Sequence, residues 1–162
     1  MEGKKSTAER GLFKEEIHKA LFKSDAIKEL LLGDISGKSQ KEILDEFKDH
    51  VKSHLFIDDT ILEAESFIFY DVAMPKLFSQ TKQCSVIMYL VCHKDILDDY
   101  HKDGYYGNRM DVLSQMVEDI LINDNEVSNS FGIGRLLLTS VDIYNSMSIY
   151  GTILTFHVPN FR

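Results

Sequence analysis

The densest group of side chains that could do chemistry lies in residues 93–104. It combines His93 and His101 with four aspartates. From Asp99 onward the order of residue types resembles the start of a calcium loop, but that loop needs a bidentate carboxylate at its twelfth position, where this chain has Met110. A zinc site needs three or four converging ligands, and nothing else nearby supplies a clear Cys or His partner. We therefore predict a solvated connector and no metal site.

Two further motifs fail as catalytic signatures. Cys92 and His93 are adjacent in an apolar segment, and adjacent strand residues point to opposite faces, so they do not form a nucleophile and its base. Residues 132–134 read Gly-Ile-Gly, but they precede a strand and position 137 is Leu, so we predict a turn and no phosphate site. Cys84 lies eight residues before Cys92, over ~26 Å away along a strand, which predicts two buried thiols in a reducing compartment and no disulfide.

Helical periodicity dominates the first third of the chain. Apolar residues from Leu12 to Leu32 recur at three- and four-residue spacing, with a new cap at Ser24 and a stop at Gly33. Ser39 and Glu42 form a capping box. The helix that this box opens presents an apolar face made of Ile43, Leu44, Phe47 and Val51.

Strand patterns follow. Residues 66–73 are aromatic and β-branched and end before Pro75, and residues 83–93 are apolar on both faces, which is typical of a central strand. Asn108 then caps a helix with Asp111 at its third position. Two more strands are predicted, joined by a short link of hairpin length. Those strands and their link are residues 135–143, 149–158 and 144–148.

This order of elements predicts an α+β fold. The series α-α-β-β-α-β-β indicates a small antiparallel or mixed four-stranded sheet with helices packed on it. We predict a flexible N-terminal arm over residues 1–10 and a single α+β domain over 11–162. Within that domain, residues 11–53 supply the N-terminal helices and 60–162 the sheet-and-helix body.

Length, composition and charge narrow the class of protein. The chain has 162 residues with 44% hydrophobic and 27% charged side chains, which suits one globular domain. No apolar run approaches the ~20 residues that cross a bilayer, and the N-terminus lacks the apolar stretch of a secretory signal. Residues 1–52 have 11 basic and 11 acidic side chains, whereas residues 53–162 have 7 basic and 15 acidic ones. A body this acidic should repel nucleic acid, although acidity also simply keeps proteins in solution.

Two charges at the start of the last helix stand out. Asp111 is favoured there by the helix dipole, whereas Arg109 is disfavoured by it. A carboxylate across an interface would explain an arginine at this position. Both residues are therefore candidates for contacts between molecules.

From Phe67 onward, the chain resembles the tail-terminator and neck proteins of long-tailed bacteriophages. The resemblance lies in the order of five segments, none of which is a catalytic signature. They are residues 67–71, the strand 85–93, the helix start 107–113, the hairpin at 150–152 and the closing residues 156–161.

The resemblance implies a structural subunit and not an enzyme, without cofactors. Such proteins assemble as a ring, commonly a hexamer, on the tail tube, and offer a surface to the head-side connector while DNA passes through the lumen. They assemble in the host cytoplasm and remain in the virion. The implied contacts are the arm and the loops 94–107 and 123–134. With the two helix-start residues, the candidate interface residues are Asp98, Asp99, Tyr105, Tyr106, Arg109, Asp111, Asp124 and Glu126.

Two other interpretations stay open. One is a small cytosolic regulatory or ligand-binding domain of ferredoxin-like layering that dimerises through its sheet. The other is a metal-dependent hydrolase built on His93, His101 and the neighbouring aspartates. The three differ in assembly, in stabilisation by a ligand and in metal content.

Overall fold

The protein has the predicted α+β class, with helices on one face of a mixed sheet. A computed structural model describes residues 6–57, 64–77, 82–123 and 136–161. The helices are α1 (Ser6–Lys23), α2 (Asp25–Leu32), α3 (Gln40–His50) and α4 (Arg109–Asn123). The strands are β1 (Val51–Lys52), β2 (Ser66–Leu77), β3 (Lys82–His93), β4 (Leu137–Asn145) and β5 (Ile149–Phe161). One turn of 3-10 helix, Lys94–Ile96, follows β3.

The sheet has five strands in the order β1-β2-β3-β5-β4. The last strand, β5, lies between β3 and β4 and is antiparallel to both. The four predicted strands are β2 to β5, and the structure adds β1, in which Val51 and Lys52 pair in parallel with Ile68 and Phe69 of β2. The sequence pattern assigns Val51 to the apolar face of the preceding helix. It does not predict β1, because a two-residue strand has no periodicity of its own and is defined only by its distant partner.

The first helix begins earlier than the sequence pattern indicates. The predicted arm covers residues 1–10, whereas Ser6–Arg10 belong to α1, and residues 1–5 lie outside the described part. Arg10 explains the difference, because its guanidinium donates to the Val72 carbonyl and pairs with the Asp71 carboxylate. Contacts with β2 thus fix a turn that has little apolar surface of its own.

The predicted helix caps are present at α2 and α3. The Ser24 hydroxyl accepts from the Ile27 N–H at 3.2 Å, so the chain breaks into two helices there. Ser39 accepts from the Glu42 N–H at the same distance of 3.2 Å. Gly33 ends α2 with φ of 77°, a left-handed conformation that favours glycine.

The main core lies between the helices and one face of the sheet. On the strands it comprises alternate residues, as the period of two requires. Phe47 of α3 is fully buried and packs edge-to-face against Phe22 of α1, with ring centroids 5.1 Å apart. The strand residues of this core include Ile68, Tyr70, Val72, Cys84, Val86, Met88, Leu90, Cys92, Leu154, Phe156 and Val158.

A smaller apolar cluster occupies the opposite face of the sheet. Phe67 and Phe69 of β2 pack there with Val91 and Ile149. The chain after β1 covers part of this cluster, since Ile57 packs against it. No helical residue of the described chain belongs to this cluster.

The second strand is longer than predicted. It continues through Pro75 to Leu77, with a shift in its pairing to β3 between Ala73 and Lys76. Proline has no N–H to donate, so strands accept it at an irregularity or an edge. The shift satisfies that requirement without ending the strand.

Gly151 of β5 lies against the backbone of β3 with no room for a side chain, and this contact gives a stability prediction. A Cβ built there would lie 1.8 Å from the Leu90 carbonyl oxygen. We expect Gly151→Ala to lower the free energy of unfolding by about 3 kcal/mol or more, because the two central strands must separate. The matched control is Gly11→Ala in α1, where nothing lies within 4 Å of the added Cβ. It should raise stability by up to about 1 kcal/mol. Urea titration measures both, and a tolerated Gly151→Ala would contradict this account.

Asp71 gives a prediction about pH. Burial acts to raise the pKa of its carboxyl, but the hydrogen bonds from Lys14 and the Val72 N–H and the charges of Lys14 and Arg10 outweigh it, so the pKa is lowered. A lowered pKa stabilises the fold above the ordinary value near 3.8, and that contribution is lost as pH falls through the folded-state pKa. The stability difference between wild type and Asp71→Asn should therefore be constant above about pH 5 and shrink below pH 4. A stability difference between the two proteins that stays constant down to pH 2 would contradict the lowered pKa of Asp71.

Candidate functional site

The connector between β3 and α4 and the first turn of α4 together contain six of the eight predicted interface residues. Asp98 and Asp99 are exposed in the connector, and Tyr105 and Tyr106 lie just before α4. Arg109 and Asp111 begin that helix. The other two predicted residues, Asp124 and Glu126, lie outside the described residues.

The start of α4 is fixed by a reciprocal cap, as predicted for Asn108 and Asp111. The Asn108 side-chain oxygen accepts from the N–H groups of Met110 and Asp111, each at 3.0 Å. In return, the Asp111 carboxylate accepts from the Asn108 N–H at 2.9 Å. Gly107 has φ of 96°, and a Cβ there would lie 2.5 Å from the Asp111 carboxylate, so glycine is required.

Arg109 is held inside the molecule by carbonyl oxygens. Its Nε donates to the Ile96 carbonyl at 3.0 Å, and one terminal nitrogen donates to the Leu30 carbonyl at 3.4 Å. The guanidinium carbon lies 5.1 Å from the Tyr100 ring centroid, within cation–π range. The Leu30 carbonyl lies in the last turn of α2, where the helix dipole attracts a cation. These contacts account for Arg109 without the predicted carboxylate.

The two tyrosines before α4 have different environments. Tyr105 is partly buried against the main core. Tyr106 is 78% exposed, while its backbone is clamped by Gln115, which accepts from its N–H at 3.1 Å and donates to its carbonyl at 2.6 Å. The clamp presents the Tyr106 ring to solvent from a fixed backbone, so Tyr106 is the better placed of the two for a contact with another molecule.

The histidines of the connector do not converge. His93 lies 3.4 Å from the Asp95 carboxylate, and the exposed His101 lies 3.5 Å from Asp103. These are two separate local pairs. Across the described ranges, no three His, Cys, Asp or Glu side chains are grouped as a metal site would need.

A cleft of about 1080 Å³ opens between α2, α3 and the start of β2, and Arg109 is the one predicted site residue among those that line it. His50, at the end of α3, is its most chemically capable side chain. Its Nδ1 lies 2.8 Å from the Ser66 carbonyl oxygen, and its ring stacks on Phe67 with centroids 5.0 Å apart. Its Nε2 lies 3.9 Å from the Glu65 carboxylate. A lone histidine in a helical pattern gives no signal that it faces a cleft.

The cleft has polar side chains but not the geometry of a nucleophile and base. A carbonyl only accepts, so His50 Nδ1 is the protonated nitrogen in that bond. The Ser66 hydroxyl is buried and makes no hydrogen bond to any described group. Because the imidazole bonds to the Ser66 backbone and not to its hydroxyl, the pair does not activate an oxygen nucleophile. The arrangement fits binding of a polar molecule better than covalent chemistry.

The edge strand β4 and its hairpin contain four of the seven large hydrophobic residues that are exposed in the described chain. Leu137, Val141, Ile143 and the hairpin residue Met147 are between 52% and 99% exposed. Val141 and Ile143 lie opposite Leu154 and Thr152 of β5, on the helix-bearing face of the sheet. They are nevertheless exposed, so the helices do not reach the edge of the sheet. Among the described strands, β4 pairs only with β5 and therefore forms one edge of the sheet.

Both cysteines are free and buried, as predicted. Burial raises the pKa of the Cys84 thiol to about 12 and that of Cys92 to about 11. Neither thiol has the lowered pKa that a nucleophilic cysteine needs.

The cap of α4 gives a prediction for this region. Asn108→Ala should lower the free energy of unfolding by about 1 kcal/mol, because the N–H groups of Met110 and Asp111 lose their acceptor. Asn108→Ser keeps an acceptor and is the control, with an expected loss of only a few tenths of that amount. Chemical denaturation compares the two, and equal losses would show that the cap does not set the start of α4.

Comparison with known proteins gives the family. None of the described helices is long and apolar enough to cross a bilayer. No curated protein matches the sequence. The profile of the YomW family matches residues 14–158, which include all four helices in whole or in part and the whole of β1 to β4. The chain therefore belongs to the YomW family, a family of phage origin.

Proposed function

We propose that this chain is a structural virion protein, a tail-terminator or neck subunit. In this proposal it forms a ring, with six copies by resemblance, on the last ring of the tail tube and joins it to the head-side connector. It assembles in the host cytoplasm and stays in the tail or neck of the particle. The phage origin of the family supports this, as does the resemblance in the order of segments from Phe67 onward.

The observation that carries the proposal is the exposed apolar edge strand β4. Natural proteins usually blunt such edges, because their free N–H and C=O groups and apolar side chains pair with other chains. An edge that keeps Val141 60% and Ile143 71% exposed is therefore a candidate for a permanent subunit contact. Rings are built from such contacts when the rotation between subunits closes.

The charge of the chain supports a role beside DNA without binding it. The net charge is −8, and all of that excess lies in residues 53–162. Phosphate binding depends on clustered Lys and Arg, so an acidic body favours passage of DNA over adhesion. In the proposal, DNA passes through the lumen without specific contacts.

A second candidate function is ligand binding, which the cleft beside His50 favours. The cleft brings Ser66, Glu65 and Arg109 to one opening of about 1080 Å³. A small regulatory domain that dimerises would use the same fold. Binding to the folded state alone would raise its melting temperature, whereas a tail subunit needs no such ligand.

Light scattering over a concentration series, alone and with tail-tube protein, tests the proposal. We expect a six-fold species, or one that forms only with the tube. The double variant Val141→Lys/Ile143→Lys should lose it, because two charges replace the apolar edge. Its control is Ser36→Lys/Gln40→Lys, which adds the same charge at exposed positions around the start of α3. A concentration-independent monomer or dimer that ignores the tube would refute the proposal, and a metabolite that raises its melting temperature would then favour the second candidate.

A further inference from the structure

The lysines of this chain are unevenly distributed along the sequence. After Lys102 the sequence has no lysine. The helix α4 and the strands β4 and β5 therefore have no lysine. Their charged residues are Arg109 and four carboxylates, those of Asp111, Glu118, Asp119 and Asp142. By contrast, α1, α3 and β1 contain half of the twelve lysines of the described chain.

Some of these lysines surround a second, smaller cavity at the β1–β2 edge of the sheet. It measures about 470 Å³ and lies between α1, α3 and β1. Lys14, Lys48 and Lys52 line it together with a single carboxylate residue, Glu15. Lys14 also pairs with Asp71 at 2.7 Å and Lys52 lies 3.9 Å from the Asp49 carboxylate, whereas Lys48 is exposed. After burial, the Lys48 charge is the second cause that lowers the pKa of His18, which also lines the cavity.

An exposed aromatic ring lies close to these lysines in the chain. His54 lines the same cavity, and the Phe56 N–H donates to its Nδ1 at 3.2 Å. Phe56 is 74% exposed. We call Lys14, Lys48, Lys52, His54 and Phe56 the basic surface. It combines positive charge with an apolar anchor.

The opposite edge of the sheet has the complementary character. We call Leu137, Val141, Asp142 and Ile143 the β4 surface: three exposed apolar side chains and one exposed carboxylate residue on the edge strand. Val141 and Ile143 lie on the helix-bearing face of the sheet, whereas Leu137 and Asp142, opposite His157 and Ile153, lie on the other face. Because β1 and β4 are the first and last of five strands, the two surfaces are separated by roughly four strand spacings, or about 19 Å. A head-to-tail assembly needs two different, matching surfaces on each subunit.

We propose that the β4 surface of one copy docks on the basic surface of the next copy. This inference rests on the proposed ring and names its contact. Phe56 meets the apolar side chains of β4, and the lysines face the acidic half of the neighbouring molecule. A two-fold contact of β4 with β4 would instead bring two lysine-free edges together and leave the basic surface unused.

Mixing two defective variants tests the contact. The β4-defective variant is Val141→Ser/Ile143→Ser, which adds no charge that could pair with new glutamates, and the basic-defective variant is Lys48→Glu/Lys52→Glu. Each alone should weaken assembly at least about tenfold. Mixed in equal amounts, the two variants should form a heterodimer and no larger species. The intact β4 surface of the basic-defective variant can dock on the intact basic surface of the β4-defective variant, whereas every other contact includes a defective surface. Light scattering and native mass spectrometry distinguish this dimer from a ring.

A charge-matched control separates the surface from the overall charge. Lys19→Glu/Lys41→Glu makes the same change at exposed lysines on the same two helices, α1 and α3, and should assemble like wild type. Circular dichroism checks that every variant is folded. Raising salt should also weaken wild-type assembly, because opposite charges are screened.

The other outcomes overturn the inference in distinguishable ways. If the basic-defective variant assembles like wild type, the contact proposed here is wrong while the ring stands. If it forms a dimer and only the β4-defective variant is a monomer, the contact is two-fold. If wild type forms no assembly, alone or on the tube, the proposed function fails and this contact fails with it.

Discussion

The pairing of β3 with β5 is the interaction on which the rest of the structure depends. It runs from Lys82–Phe161 to His93–Ile149 and needs the bare backbone of Gly151 against Leu90. Ser114 of α4 bonds to Thr152 of β5 at 2.7 Å, so the same strand also places the last helix. Because β5 returns between β3 and β4, the chain leaves β4 at one edge and β1 at the other. Everything proposed about assembly follows from those two edges.

Local signals in the sequence account for much of this fold. The caps at Ser24, Ser39 and Asn108 were predictable because each joins residues two or three apart. The strand β2 was predictable from its aromatic and β-branched residues, and the central place of β3 from apolar residues on both of its faces. Features that depend on residues distant in the sequence were not predictable in this way. The strand β1 exists only through Ile68 and Phe69, and no local pattern shows which residues will pair with a two-residue segment.

The candidate site was less accessible to sequence reasoning for the same reason. Arg109 looks unfavourable at a helix start until the carbonyls of Leu30 and Ile96 are placed beside it. His50 faces a cleft whose walls come from three separate elements. The apolar residues of β4 give the pattern of an ordinary strand, and their exposure depends on how far the helices extend over the sheet. Sequence periodicity identifies which side chains can be buried, whereas tertiary packing decides which of them are buried.

The burial of both cysteines has a consequence for the redox conditions that the molecule can withstand. Thiol oxidation proceeds through the thiolate, and the high pKa of Cys84 and Cys92 leaves almost none of it at neutral pH. Their places on the sheet also keep the two sulfurs far apart along β3. The covalent structure therefore stays the same in reducing and in oxidising surroundings. In the proposed virion role, which takes the protein from the host cell to the outside, the burial of these two side chains would supply that indifference to redox conditions.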